Sequence, residues 1–269
     1  MKPRCFLVLA FVSLALAKPG ESQTKQKLNH TAASKDVKAD DEFLKTIQTV
    51  KRSVTAVACG QRESDGSVSL VSMEGTGFFV SEDGTFLTAG HVAHGLYLGS
   101  PPREKLCIIP VIYVPTDGWK VGTEIQLQWF KIENCVYNDD LDLAKCKTVQ
   151  NPFKSDIKVK PLVVDFETST QLEGTPVAFT GFPLNTAQPI TARATVGAYW
   201  GATKESNPRE MVIDHSNWPG ASGAPVYLSN GKVVGLILKR GFNEASGLAF
   251  ARSAAFIKSF MAEQNTASK

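Results

Sequence analysis

The sequence predicts an all-β domain, and three observations carry that expectation. Short runs rich in β-branched and aromatic residues recur from Val54 to Phe250. Gly, Pro, Asn and Asp fall between them, where tight turns need a positive or a preset φ. Helical spacing of apolar residues shows near the two ends alone, around residues 43 and 256. At 269 residues the chain has room for one large β domain of the barrel or sandwich kind.

The first 17 residues read as a leader. Lys2 and Arg4 precede an apolar run from Phe6 to Leu16, and Ala15-Leu16-Ala17 is a small-Xaa-small cleavage site. That is the pattern of a secretory signal peptide over 1–17. The run is too short to span a bilayer, and polar residues follow at once. No cysteine stands at the cleavage point, so no lipid anchor is expected. The mature chain is therefore expected to be exported, secreted or periplasmic. Residues 18–39 are rich in Lys, Ser, Thr and Gln and read as a flexible arm. Asn29-His30-Thr31 is a glycosylation sequon, relevant in a eukaryotic secretory pathway.

A single folded domain is expected over 40–262, with a tail over 263–269. Asp41 can cap a short helix carrying Phe43, Leu44, Ile47 and Val50 on one face. Strand patterns follow at Val54 to Ala58, Ser67 to Met73 and Gly77 to Val80. Asp83-Gly84, between Phe79 and Phe86, is a hairpin turn signal. Cys107 to Val114, Glu124 to Trp129 and Leu141 to Cys146 continue the series. Val177 to Phe179, Thr191 to Val196, Met211 to Ile213, Val226 to Leu228, Val233 to Leu238 and Leu248 to Phe250 complete it. Ser253 can cap a last helix bearing Phe256, Ile257, Phe260 and Met261.

The chemistry concentrates in Asn217-Trp-Pro-Gly-Ala-Ser-Gly-Ala-Pro225. A serine hydroxyl is a poor nucleophile at neutral pH and needs a base and a site for the developing oxyanion. Ser222 sits on a tight Gly-Xaa-Ser-Gly turn. Gly220, with no side chain, can bring its N–H close to a substrate carbonyl. The N–H of Ser222 is the natural second donor. Two upstream motifs supply the partners: Gly75-Thr-Gly-Phe-Phe-Val80 leading into Thr88-Ala-Gly-His-Val92, and Leu141-Asp-Leu-Ala144. The order His91, Asp142, Ser222 is one of the recurring orders for a base-activated serine. An α/β-hydrolase does not fit, because residue 224 is alanine and the histidine comes first.

At these residues the chain resembles the trypsin-like (chymotrypsin-fold) serine proteases. Gly-Thr-Gly-Phe-Phe-Val with Thr-Ala-Gly-His looks like their histidine motif, and Asp142-Leu-Ala like their aspartate motif. Within that superfamily it is most similar to the bacterial HtrA-type proteases, through Asp214 to Ser222, Gly231 to Gly235 and Gly247 to Ala251. The glutamyl endopeptidases share the Gly220 to Val226 pattern. The resemblance runs from about Val54 to the last helix. It implies two antiparallel β-barrels with a C-terminal helix and the cleft between the barrels, His91 and Asp142 coming from the first and Ser222 from the second.

The resemblance implies an endopeptidase that forms an acyl-enzyme on Ser222 and needs no cofactor. His91 would be the general base and Asp142 the orienting carboxylate, with Gly220 and Ser222 as oxyanion donors. His94 competes with His91, and Asp139 and Asp140 compete with Asp142. The motif context favours His91 and Asp142, and along a strand Asp142, Ala144 and Cys146 would share a face. Position 221 is Ala and no Ile-Val-Gly-Gly stands near the domain start, so activation by a new N-terminus is not expected. A PDZ domain follows typical HtrA proteases. Here a helix and tail follow, so PDZ gating is not expected.

For specificity, Ser216 takes the expected base of the primary pocket and carries no charge. Ile237 takes the place of the histidine of glutamyl endopeptidases. His215 could still meet an acidic side chain. A neutral apolar or aromatic preference is expected. The rival reading is a catalytically silent or latent protease-fold module that binds a partner.

Charge points to no polyanion. There are 29 basic and 26 acidic residues, and 27 basic once Lys2 and Arg4 leave with the leader. No nucleic-acid or membrane partner is expected, only a peptide or protein substrate. Cys5 also leaves with the leader. Cys59, Cys107, Cys135 and Cys146 remain, which suggests two disulfides with three possible pairings. They lack metal-site spacing.

Overall fold

A computed structural model describes residues 42–66, 68–98, 105–112, 127–156, 160–200, 210–240 and 247–267. The leader, the arm, the sequon and the Asp41 cap lie outside the described residues. A first helix, α1, covers residues 42–51. The strands are β1 (Val54–Arg62), β2 (Val68–Phe79), β3 (Thr85–Ala89), β4 (Lys105–Ile112), β5 (Leu127–Asn138) and β6 (Leu143–Thr148), then β7 (Pro176–Gly181), β8 (Ile190–Trp200), β9 (Glu210–Ile213), β10 (Pro225–Tyr227), β11 (Val233–Arg240) and β12 (Ala249–Ser253). Helix α2 (Gly90–Leu98) follows β3, and α3 (Ala254–Ala267) follows β12.

The strands close into two six-stranded antiparallel barrels. The first runs β1-β2-β3-β6-β5-β4 and the second β10-β11-β12-β9-β8-β7. Closure removes the free edges that an open sheet would offer for aggregation. Every residue of β1 from Val54 to Gly60 is buried, and the buried hydroxyl of Thr55 is satisfied by donating to Pro110 O at 2.6 Å. In β5 only Phe130 and Ile132 are fully buried, and the solvent side carries Lys131 and Glu133.

Two apolar cores result. Phe78, Phe86, Leu87, Ile109, Phe130 and Leu143 fill the first barrel. Val177, Val196, Met211, Ile213, Val226 and Ile237 fill the second. Helix α1 buries Phe43, Ile47 and Val50. The ring of Phe43 meets Tyr227 of β10 edge-on at 6.5 Å. Helix α3 buries Ile257 and Phe260 completely. Each such side chain contributes about 1.5–3 kcal/mol on removal from water.

The structure corrects several local readings. Leu44 is 51% exposed and does not share the buried face of α1. β2 is one strand where two runs were expected, because it bulges against β1 and keeps its pairing. β5 continues to Asn138, pairing with β4 over its first half and β6 over its second. Asp142 is not on a strand. It is the last turn residue before β6, with φ 52.

One disulfide is formed, Cys135–Cys146, across β5 and β6. Its loop contains Asp142. The expected second disulfide is not formed between Cys59 and Cys107. They are nevertheless register partners on β1 and β4 with their sulfurs 2.9 Å apart.

Candidate active site

Sheet register brings the histidine and aspartate together. β3 pairs with β6 so that Ala89 faces Leu143. His91, two residues beyond Ala89, and Asp142, one before Leu143, then meet at the barrel rim. The first turn of α2 presents His91. Gly90 permits the approach, since a Cβ there would lie 3.1 Å from both the carbonyl carbon and Oδ1 of Asp142. The backbone N–H of His91 donates to Asp142 Oδ1 at 2.8 Å. The ring Nδ1 lies 3.0 Å from each carboxylate oxygen. Nε2 is the ring nitrogen that Asp142 does not engage.

The competing residues satisfy one another. His94 Nε2 pairs with Asp139 Oδ1 at 3.3 Å, and its ring packs edge-on against Tyr137. The turn that carries Asp142 is fixed from several sides. Asn138 Oδ1 accepts the N–H of Leu141, and Asp139 O accepts that of Asp142. From the second barrel, Arg252 donates through Nε to the carbonyl of Leu141 at 2.8 Å. Arg252 is 3% exposed and also faces Glu210 at 3.8 Å. The charge of Arg252 inside an apolar strand pattern was a readable signal for a built contact. Its target was not readable.

Ser222 sits on a turn that leads into β10. Ala221 N–H donates to Trp218 O, and Ala224 N–H to Ala221 O. Gly223 N–H donates to Ile237 O at 2.7 Å. Gly220 and Gly223 have φ of +93 and +89. A Cβ on Gly223 would fall 2.0 Å from Thr76 O, and one on Gly220 would fall 2.3 Å from Phe182 O. The turn thus needs glycine at both places for conformation and for space.

The peptide between Pro219 and Gly220 is held from one side. Its carbonyl accepts the N–H of Leu184 at 2.7 Å. In a trans peptide the N–H of Gly220 then points the opposite way. Among the described residues, neither Gly220 N–H nor Ser222 N–H has a protein acceptor. The hydroxyl of Ser222 donates to Leu238 O at 2.8 Å. Among the described residues no hydrogen bond joins it to His91.

The three proposed pocket residues sit in different environments. Ser216 is exposed. His215 packs edge-on against Phe179, and its Nδ1 lies 2.8 Å from Ser216 O. Ile237 is fully buried in the second core. Among the described residues no group of three or more His, Cys, Asp or Glu is placed to hold a metal.

The family model described as trypsin-like peptidase domain matches residues 75–236. No curated protein sequence matches the chain. Among solved structures, Deg5 is similar at 18% identity with a TM-score of 0.58, covering 82% of this chain and 92% of that one. The Rv3671c protease from M. tuberculosis is similar in two forms, both at 18% identity and covering 81% of this chain. The inactive serine mutant has a TM-score of 0.56 with 89% of its chain covered, and the active form 0.55 with 82% covered. At these identities the likeness is one of fold.

Proposed function

The chain belongs to the trypsin-like peptidase family, and on that footing we propose that Ser222, His91 and Asp142 form the catalytic triad of an exported serine endopeptidase. The observation that carries the reading is the three-point contact of Asp142 with His91, at 2.8, 3.0 and 3.0 Å. It fixes the ring with hydrogen on Nδ1 and an acceptor lone pair on Nε2.

Ser222 Oγ attacks the scissile carbonyl while His91 Nε2 takes its proton. The tetrahedral oxyanion is received by the N–H groups of Gly220 and Ser222. The imidazolium, stabilised by Asp142, gives the proton to the leaving amine and leaves an acyl ester on Oγ. Water then attacks the ester while losing a proton to His91; the acyl C–Oγ bond breaks, the acid leaves, and His91 returns the proton to Ser222 Oγ. No cofactor takes part in these steps. The uncharged Ser216 supports a neutral primary pocket. Residues 1–17 would be the signal peptide and 18–39 an arm, with the protease domain from residue 40. The Cys135–Cys146 disulfide accords with export to an oxidising compartment.

One observation favours a latent form of the same enzyme. The Ser222 hydroxyl donates to Leu238 O, so that hydrogen bond must break before His91 can take its proton. Labelling with a fluorophosphonate tests both readings. Adduct on Ser222, abolished by Ser222→Ala, supports the triad. Slow labelling that accelerates when a peptide is added supports latency. Well-folded protein with no adduct under either condition refutes both.

A further inference from the structure

We propose that the hydroxyl of Thr76 is the positioning group that holds the oxyanion donors of the Ser222 turn in their reactive arrangement. The proposal rests on the triad reading given above and adds a residue from the opposite barrel.

Thr76 lies on β2 and is completely buried. Four hydrogen bonds converge on it. Its backbone N–H donates to Ser222 O at 2.8 Å. Its hydroxyl donates to Gly220 O at 2.7 Å. The same hydroxyl accepts the N–H of Phe182 at 3.0 Å. Its own carbonyl accepts the hydroxyl of Thr88 at 2.7 Å. A single side-chain oxygen thus joins β2, the serine turn and the segment at 182–184.

The consequence falls on Gly220. Glycine with φ +93 has no side chain to resist rotation of its flanking peptides. The peptide before it is held by Leu184 N–H on Pro219 O at 2.7 Å. The peptide after it is held by Thr76 on Gly220 O. Both flanking peptides of Gly220 are then pinned, and so is the direction of its N–H. Leu184 and Phe182 belong to one short segment, so the two anchors are themselves tied together through Thr76. The second donor, Ser222 N–H, lies between the two carbonyls that Thr76 holds. Thr76 touches no reacting atom; it acts through the backbone it fixes.

Donor and acceptor are both required at this point, and only a hydroxyl supplies both from one atom. Valine has the same shape and neither function. It would leave the Gly220 carbonyl and the Phe182 N–H without their partner and release the turn. Misplacement of oxyanion donors lowers the chemical step more than ground-state binding.

The test compares the full-length protein with Thr76→Val and Thr76→Ser, using a fluorogenic peptide that the wild type cleaves. Thr76→Val should lower kcat by about 10- to 100-fold, less than the loss of a whole oxyanion donor, with KM within about twofold. Thr76→Ser should restore kcat to within about threefold of wild type. A peptide aldehyde, whose adduct places an oxyanion on those donors, should bind Thr76→Val more weakly by the same factor as kcat/KM. Uncleaved peptide should bind Ser222→Ala and the Thr76→Val/Ser222→Ala double variant equally. If Thr76→Val does not fold, Thr76→Ala carries the same comparison with Thr76→Ser. An unchanged kcat in a folded hydroxyl-free variant overturns the role of Thr76 alone. So does a loss that appears wholly in KM, or one that Thr76→Ser does not rescue. Wild-type protein that neither cleaves peptides nor labels at Ser222 overturns the endopeptidase reading and this role with it.

Discussion

Asp142→Asn is the substitution that most directly probes the His91 geometry. The carboxylate meets two donors. Oδ1 accepts the backbone N–H of His91 at 2.8 Å, and both oxygens lie 3.0 Å from ring Nδ1. An asparagine can sit in two ways. With its amide nitrogen at the Oδ1 position, two donors face each other and the His91 N–H loses its partner, at a cost of about 1–3 kcal/mol. The other orientation therefore wins, with the carbonyl oxygen on the backbone N–H and the NH2 group against Nδ1. Nδ1 must then become the acceptor, which moves the ring proton to Nε2. Nε2 can no longer take a proton from Ser222. The expected fall in kcat is about 10³- to 10⁴-fold, equivalent to about 4–5.5 kcal/mol of transition-state stabilisation. The shape of the residue hardly changes, so denaturant midpoints should stay close to wild type. Steady-state cleavage of dye-labelled denatured casein, alongside the rate of fluorophosphonate labelling, reads the effect. A loss smaller than tenfold in both would refute the tautomer argument and with it the role given to Asp142.

Four further outcomes are expected. Gly223→Ala should destabilise by about 3 kcal/mol through its positive φ and the approach of its Cβ to Thr76 O and Thr88 Oγ1, read as a lowered urea midpoint; an unchanged midpoint would contradict the packing described. Oxidation should join Cys59 to Cys107 without rearrangement, since their sulfurs already lie 2.9 Å apart, and closing that loop should add up to about 4 kcal/mol; two titratable thiols persisting in oxidised native protein would count against it. Burial pushes the hydroxyl of Tyr227 up to about 12, against a smaller lowering by its bond to Thr180. The folded state therefore keeps a proton that the unfolded state loses, and stability should be intact below pH 10 and fall as pH rises from about 10 through about 12; Tyr227→Phe should cost about 1 kcal/mol at neutral pH and flatten that alkaline decline. Peptide-library profiling should show neutral residues leading at the primary position, because Ser216 brings no counter-charge for a buried Lys or Arg; dominant cleavage after Lys or Arg would overturn it.

Much of the barrel pattern was legible because strand signals are local. Asp83-Gly84 marked the β2–β3 hairpin, where Gly84 has φ +89, and alternating apolar residues marked most strands to within a few positions. The failures share a physical cause. β5 was cut short at Trp129 because its later residues are largely exposed and polar, so cross-strand pairing and not an apolar face defines the strand. Asp142 was placed on β6 by its alternation with Ala144 and Cys146. Asn138, Asp139 and Arg252 instead hold the segment before it in a turn, and the Arg252 contact depends on a fold already formed.

The sequence by itself determined the β class, the turn glycines and the chain order of His91, Asp142 and Ser222, since each depends on residue type and near neighbours. Tertiary structure decided which of two histidines meets which of several aspartates, because barrel register sets Ala89 opposite Leu143. It decided that Cys135 lies against Cys146 and Cys59 against Cys107, since pairing of sulfurs follows pairing of strands. It also decided that Thr76, 146 positions before Ser222 in the chain, grips the serine turn through a backbone N–H and a hydroxyl. No local pattern encodes that grip, because it exists only where one barrel closes on the other.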